Sequence, residues 1–447
     1  MKIKPLVTAC LLGSLSLSST LSAETLMEVY RKAVNNDPKF LSAGAQLEAN
    51  LEQSNQSLAG LLPTISASYG IDYSKRGSDN GAGFVSSSEG MGNSLGLTLR
   101  QSIYDYGTWV RHDQAQKRVE QAKVRYKANE QDLIVRVANA YFNVLDSRDT
   151  LTFREAERTA IKQELEQTKQ RFEVGLIAIT DVHEAQARYD QSQADQIAAQ
   201  NQLDNTLEAL REITGQYHER LHSLKEDIPL LTPKPAKIDD WVQVAKESNL
   251  DVIAANMDVY IANQETKRRF NGHLPSVNLN ASYSDFEDDP SGSDLTPEGY
   301  SLSAGISVDI PIYNGGNVSS QVTEGEALYK KATYDLETAL RGSVRTTRSS
   351  YLGVEASISR IKALQQSVVS QQSALEATQA GFEVGTRTIV DVLQSTRNLY
   401  NARSNLATAR YNYIIDVLEL KQAAGILTED DLAEINTWLT FKAANED

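Results

Sequence analysis

Cysteine, proline, glycine and long apolar runs are scarce along most of this chain, and each scarcity excludes something. One residue of 447 is cysteine, Cys10. It falls in an N-terminal segment with the marks of a secretory signal peptide: Lys2 and Lys4, a mostly apolar Leu6 to Leu17, and small residues from Ser18 to Ala23. Cleavage after Ala23 would leave a mature chain that starts at Glu24 and has no disulfide, thiolate nucleophile or cysteine metal ligand. Val7-Thr8-Ala9-Cys10 faintly resembles a lipoprotein cleavage box, but only about five apolar residues precede it, fewer than a signal core normally has. No later run approaches the ~18 apolar residues of a spanning helix, so any bilayer crossing falls to strands. Positive charge is also in deficit. Lys+Arg number 44 against 59 Asp+Glu, a net charge of −15 that becomes −17 when Lys2 and Lys4 leave. That balance excludes a nucleic-acid partner, because phosphate backbones demand clustered basic residues.

The chemistry of an enzyme is missing as well. There is no glycine-rich phosphate loop, and His112, His183 and His273 are scattered among polar residues. His218-Glu219-Arg220-Leu221-His222 spells a zinc-protease motif, which works when one helix face presents both histidines. Here it follows Gly215, runs into Pro229, Pro233 and Pro235, and has no evident third ligand. A polar linker is expected there. No catalytic residue, metal or cofactor is expected anywhere.

What the chain does contain is one unit written twice. Phe172-Glu173-Val174-Gly175 recurs as Phe382-Glu383-Val384-Gly385, and Ile179-Thr180-Asp181-Val182 as Ile389-Val390-Asp391-Val392. Leu62-Pro63 and Leu274-Pro275, Ile103-Tyr104 and Ile312-Tyr313, and Gly215 and Gly425 follow nearly the same offset. The implied division is a signal peptide at 1–23, a first repeat at 24–236 and a second at 237–447. The first repeat holds a helix, two transmembrane strands, a long helical hairpin and a linker. The second keeps that order and ends in a short helix.

Proline, which costs about 3 kcal/mol inside a helix, is absent from Thr64 to Ile228 and from Ile312 onward. Between Thr108 and Thr214 the only glycine is Gly175. This predicts a rod of roughly 60 residues, a turn near Gly175 and a second helix from about Ile179 to Thr214; at 1.5 Å per residue the rod reaches about 90 Å. Leu133, Val137, Ala140, Val144 and Leu151, and in the other copy Val354, Ile358, Ile361, Gln365 and Val368, follow the spacing of helices packed lengthwise in a coiled coil.

Four segments alternate between apolar and small polar residues: Ile65 to Ser74, Ser94 to Ile103, Ser276 to Tyr283 and Tyr300 to Ile310. Each is about the length of a tilted strand crossing a bilayer. The Gly-, Ser- and Asp-rich stretches Gly77 to Asn93 and Asp285 to Gly299 are expected as loops. Four strands cannot close a membrane barrel, and an open edge in lipid leaves backbone groups unpaired, so the chain must oligomerise. Periodicity alone does not choose between two copies and three. A purely structural coiled coil spanning the periplasm would explain the rods but leaves the strands unexplained.

These residues resemble the TolC family of outer-membrane efflux proteins from about Glu24 to Leu439. The resemblance is most specific in Val384-Gly385-Thr386-Arg387-Thr388-Ile389-Val390-Asp391-Val392-Leu393, in Leu399-Tyr400-Asn401-Ala402-Arg403, and in Ala409-Arg410-Tyr411-Asn412-Tyr413. Val174-Gly175-Leu176, Ala178-Ile179-Thr180-Asp181-Val182 and Gly272-His273-Leu274-Pro275 add to it. It implies a mainly α protein with a membrane β-barrel. The assembly would be a homotrimer whose 12-stranded barrel in outer-membrane lipid continues into a long α-helical coiled-coil barrel in the periplasm of a Gram-negative bacterium. Such a duct serves drug efflux, type I protein secretion or both. Its partners are a periplasmic adaptor and an inner-membrane pump of the RND, ABC or MFS type. A lipid-anchored efflux channel, using Cys10, is a variant of the same reading.

The resemblance also implies residue roles. Val174, Gly175 and Leu176 in one hairpin turn, with Val384, Gly385 and Thr386 in the other, match adaptor-docking tips. Thr180, Asp181, Phe382 and Arg387 match positions that hold the closed tip together, with Asp181 and Arg387 suited to a charged hydrogen bond. Asp391 matches a ring of carboxylates at the periplasmic constriction, which favours cations. The family pattern has a second aspartate where this chain has Gln394, so a less negative ring is expected. It has a tyrosine where this chain has Phe382, so one closing hydrogen bond is missing and an easier-opening gate is expected.

Overall fold

A computed structural model describes residues 23–79, 85–218, 220–290 and 298–441. The expected signal peptide with Cys10, and Glu219 of the zinc-protease spelling, lie outside them. Two rods dominate: α3 (Tyr106–Glu173), 68 residues long, and α7 (Asn317–Glu383), 67 residues long. At 1.5 Å per residue each extends about 100 Å. α3 turns back into α4 (Ile179–Thr214) and α7 into α8 (Ile389–Ala423), giving two long hairpins.

Where one helix is expected at the head of each repeat, the structure has two. α1 (Leu26–Asn36) and α2 (Pro38–Ala59) meet at Asp37, and α5 (Ile238–Ser248) and α6 (Leu250–Phe270) meet at Asn249. The break is local chemistry. Asp37 and Asn249 are extended N-caps whose side chains accept from the backbone N–H groups of the next helix. Pro38 cannot continue α1 but fits the first turn of α2. The Asp37 carboxylate, 3% exposed, also accepts from Arg136 of α3 at 2.6 Å, and that contact with the Phe40 amide holds it below the usual carboxylate range.

The main core encircles the middle of the rods. Leu133, Val137, Ala140 and Val144 of α3 are buried, as the heptad spacing requires, while Leu151 is half-buried; Ser147, the polar exception in that spacing, is buried too. In α7, Val354, Ile358 and Ile361 are buried, but Gln365 is exposed and Leu364 packs on the core in its place. Tyr141 and Phe142 meet edge to face at 5.5 Å, and Phe142 meets Tyr411 at 5.8 Å. Around this belt pack α1, α5, α9 (Glu429–Asn436) and a small antiparallel pair that joins Ser223–Leu224 to Leu439–Thr440. We label those two strands β3 and β6.

The remaining strands form one antiparallel sheet, β1 (Thr64–Asp79), β2 (Val85–Tyr104), β4 (Ser276–Pro290) and β5 (Glu298–Asp309), in the order β1-β2-β4-β5. Across its middle the register places like with like. Tyr69 opposes Leu95, Ala67 opposes Leu97, Leu97 opposes Tyr283, and Tyr283 opposes Leu302. On the other face Ser66, Thr98, Ser282 and Ser303 form a row. The apolar row is open to solvent: Ile65 is 74% exposed, Tyr300 76% and Leu302 75%.

The strands outrun the alternation that announces them. Pairing continues to Asp79 opposite Val85 and to Glu287 opposite Glu298, so most of the expected loop 77–93, and the ends of 285–299, belong to hairpin ribbons. Backbone pairing needs no apolar face. Cross-strand side chains such as Lys75 and Glu89, 2.9 Å apart, hold the ribbon in water.

Candidate functional site at the hairpin tips

Both hairpins turn at the end of the rods farthest from the sheet, and they turn identically. The Leu176 amide donates to the Arg171 carbonyl at 2.9 Å and the Gly175 amide to Phe172 at 2.9 Å; Thr386 and Gly385 do the same to Gly381 and Phe382 at 2.8 and 3.1 Å. These paired bonds satisfy the last carbonyls of a helix when the following residue is left-handed. Gly175 and Gly385 have φ of 77° and 78°, which an L side chain rarely adopts. Beside them Val174, Leu176 and Val384 are 69%, 72% and 76% exposed. Each copy thus leaves an apolar side chain open at the end of its rod.

Asp181 and Asp391 occupy equivalent places in the two repeats but are held differently. Thr388 caps α8: its hydroxyl accepts from the Asp391 amide, while the Asp391 carboxylate accepts from the Thr388 amide and hydroxyl, both at 2.9 Å. These donations, with the nearby Arg387 charge, keep the Asp391 carboxyl below the usual range. In the other tip Ala178 stands where Thr388 does and makes no side-chain cap. Asp181 therefore lacks the hydroxyl tether that Thr388 gives Asp391. Gln394 is exposed and donates to Asn398 at 2.9 Å.

Thr180 is exposed. Among the ion pairs of the described residues none joins Asp181 to Arg387. Arg387 instead folds over the end of α7. A Cβ built on Gly381 would lie 2.7 Å from Arg387 Cγ, so Arg387 has this course because residue 381 has no side chain. Sequence reasoning did not single out Gly381.

Phe382 is 7% exposed and sits in a second core with Leu375, Ile389, Val392 and Leu393. Its ring faces the other hairpin, where the Arg171 guanidinium stacks 4.4 Å from the ring centroid and donates to the Phe382 carbonyl at 3.4 Å. Arg171 was also missed. Its signal, a basic residue in the last helical turn, reads as an ordinary helix-end charge.

The zinc-protease spelling resolves into a linker. Residues 217, 218 and 220 are outside any helix, and the buried His218 ring lies 2.7 Å from Thr214 Oγ1 and 2.6 Å from Glu24 Oε2. His222 lies beside Phe441.

The sequence matches the Outer membrane efflux protein family twice, over residues 29–216 and 241–426. It is 42% identical to outer membrane protein TolC of Vibrio cholerae over 98% of both chains. It is 27% identical to the proteases secretion protein PrtF of Dickeya chrysanthemi, over 95% of this chain and 93% of that one. The fold is similar to that of the CmeC outer membrane channel of Campylobacter jejuni, with a TM-score of 0.76 over 98% of both chains at 17% identity.

Proposed function

The chain belongs to the Outer membrane efflux protein family and is an outer-membrane channel protein for efflux and type I secretion; from that premise we propose that three copies close into one duct. The observation that carries the closure is the sheet, and the number three is the one the family resemblance implies. It has an apolar face in register across four strands, a face of Ser, Thr, Gly and Asn opposite, and open edges at β1 and β5. An edge in hydrocarbon leaves N–H and C=O groups unpaired at several kcal/mol each, so β5 of one copy pairs with β1 of the next. Three copies give 12 strands, with the apolar row to lipid and the small polar row to water. The rods, continuous with the strands through residues 105 and 310–316, extend the same wall into the periplasm.

At the far end the tips close the duct. Asp181 and Arg387 do not meet within a chain, so in the trimer they pair between neighbours. Asp391, tethered by Thr388, contributes one carboxylate per copy to a ring at the mouth, and Gln394 leaves that ring without a second tier of charge. Val174, Gly175, Leu176, Val384, Gly385 and Thr386 receive the periplasmic adaptor, through which the inner-membrane pump opens the gate. The native mass of the detergent-purified complex tests the assembly: three chains are expected, and a stable species of two or of one contradicts it.

A further inference from the structure

We propose that Arg171 is a gate-holding residue, a clamp that ties the two hairpins of each protomer together by seating its guanidinium on the Phe382 ring and so takes the place of the hydrogen bond that a phenylalanine cannot make. The inference rests on the reading of the tips as the gate.

Three features of the contact support it. Arg171 and Phe382 are the last-turn residues of different rods, α3 and α7, so their contact spans the seam that must part if one hairpin swings from the other. The guanidinium engages both the π face, at 4.4 Å, and the backbone carbonyl, at 3.4 Å. That carbonyl is also the acceptor for the Gly385 amide in the tip turn, so the clamp grips the turn itself as well as a side chain. Finally, the ring is held still. Phe382 is buried among Leu375, Ile389, Val392 and Leu393, so it is a fixed platform onto which the arginine docks. A planar cation over an aromatic face is attracted by the ring quadrupole, and partial removal from water strengthens it.

Among the described residues the first hairpin offers Phe382 no other charged partner at the ring. The repeat symmetry is broken here: Phe172, the counterpart of Phe382, is 39% exposed, and Gly381, the counterpart of Arg171, carries no side chain. One clamp per protomer is therefore available, directed from the first repeat to the second.

The test is single-channel recording on purified trimers, each verified by native mass and thermal stability, with five variants: Arg171→Ala, Arg171→Lys, Phe382→Leu, Phe382→Tyr and the double variant Arg171→Ala/Phe382→Leu. Arg387→Ala serves as the independent gate probe. Arg171→Ala and Phe382→Leu should each raise open probability about tenfold, equivalent to ~1.4 kcal/mol. The double variant should do no more than either alone. Phe382→Tyr, which keeps the face and restores the hydroxyl, should open no more often than wild type, and Arg171→Lys should fall between wild type and Arg171→Ala. If Arg387→Ala opens the channel while Arg171→Ala leaves it shut, the clamp is refuted and the gate stands. If the two single effects add in the double variant, the residues act separately and the clamp is refuted. If neither Arg387→Ala nor Arg171→Ala changes opening, the gate reading and the clamp fall together.

Discussion

Replacing Gly385 by alanine isolates one physical quantity at the tip. The residue has φ of 78°, and a Cβ built there meets nothing within 4 Å, so the substitution introduces no collision. What it introduces is the cost of an L side chain in the left-handed region, about 1–2 kcal/mol. The turn can relieve that strain only by giving up the bonds from the Gly385 amide to Phe382 and from the Thr386 amide to Gly381. Local opening of the turn should therefore become about 5- to 30-fold more frequent. Amide hydrogen exchange at residues 385, 386 and 387 reads this directly, while amides in the belt around Tyr141 should exchange as before. Asparagine tolerates the left-handed region better, so Gly385→Asn should exchange more slowly than Gly385→Ala. An alanine variant with wild-type exchange, or an asparagine variant worse than alanine, would refute the argument that conformational strain alone fixes this glycine.

Asp37→Ala removes an N-cap and a nearly buried partner of Arg136, so it should destabilise the fold by about 3 kcal/mol in thermal unfolding, whereas Asp37→Asn keeps the cap and should cost less. Asp149 accepts from Tyr411 at 2.6 Å, and burial raises its carboxyl above the usual range. A raised acid binds more protons folded than unfolded, so its contribution favours folding below the unfolded value and is lost as pH rises through the folded one. Asp149→Asn should accordingly raise the melting temperature at neutral pH and flatten that slope; a lower melting temperature at pH 7 would contradict it. Gln394→Asp should add a second tier of charge at the mouth and increase cation selectivity, as measured by reversal potential in a salt gradient.

The rods were legible because their signal is exclusion: neither contains a proline, the first hairpin has only Gly175 between Thr108 and Thr214, and Gly175 and Gly385 mark the turns. The membrane-facing strands were legible because parity survives in the sequence, as in Ile65, Ala67, Tyr69, Ile71 and Tyr73. Their ends were not, because residues 85–93 pair through backbone groups that leave no apolar trace. The break at Asp37-Pro38 carried a readable cap and proline that the single-helix expectation passed over. Arg171 on Phe382 was beyond reach, since a contact across 211 positions depends on how two hairpins lie side by side. The course of Arg387 over Gly381 likewise depends on the space that an absent side chain leaves.

The proposed duct is a cation-favouring pore whose mouth is set by Asp391. Its most direct test is the conductance of the purified oligomer in a planar bilayer, wild type against Asp391→Asn. Discrete, cation-preferring steps that lose part of their selectivity in the variant are expected; a folded oligomer that forms no pores, or pores indifferent to Asp391, would contradict the assignment.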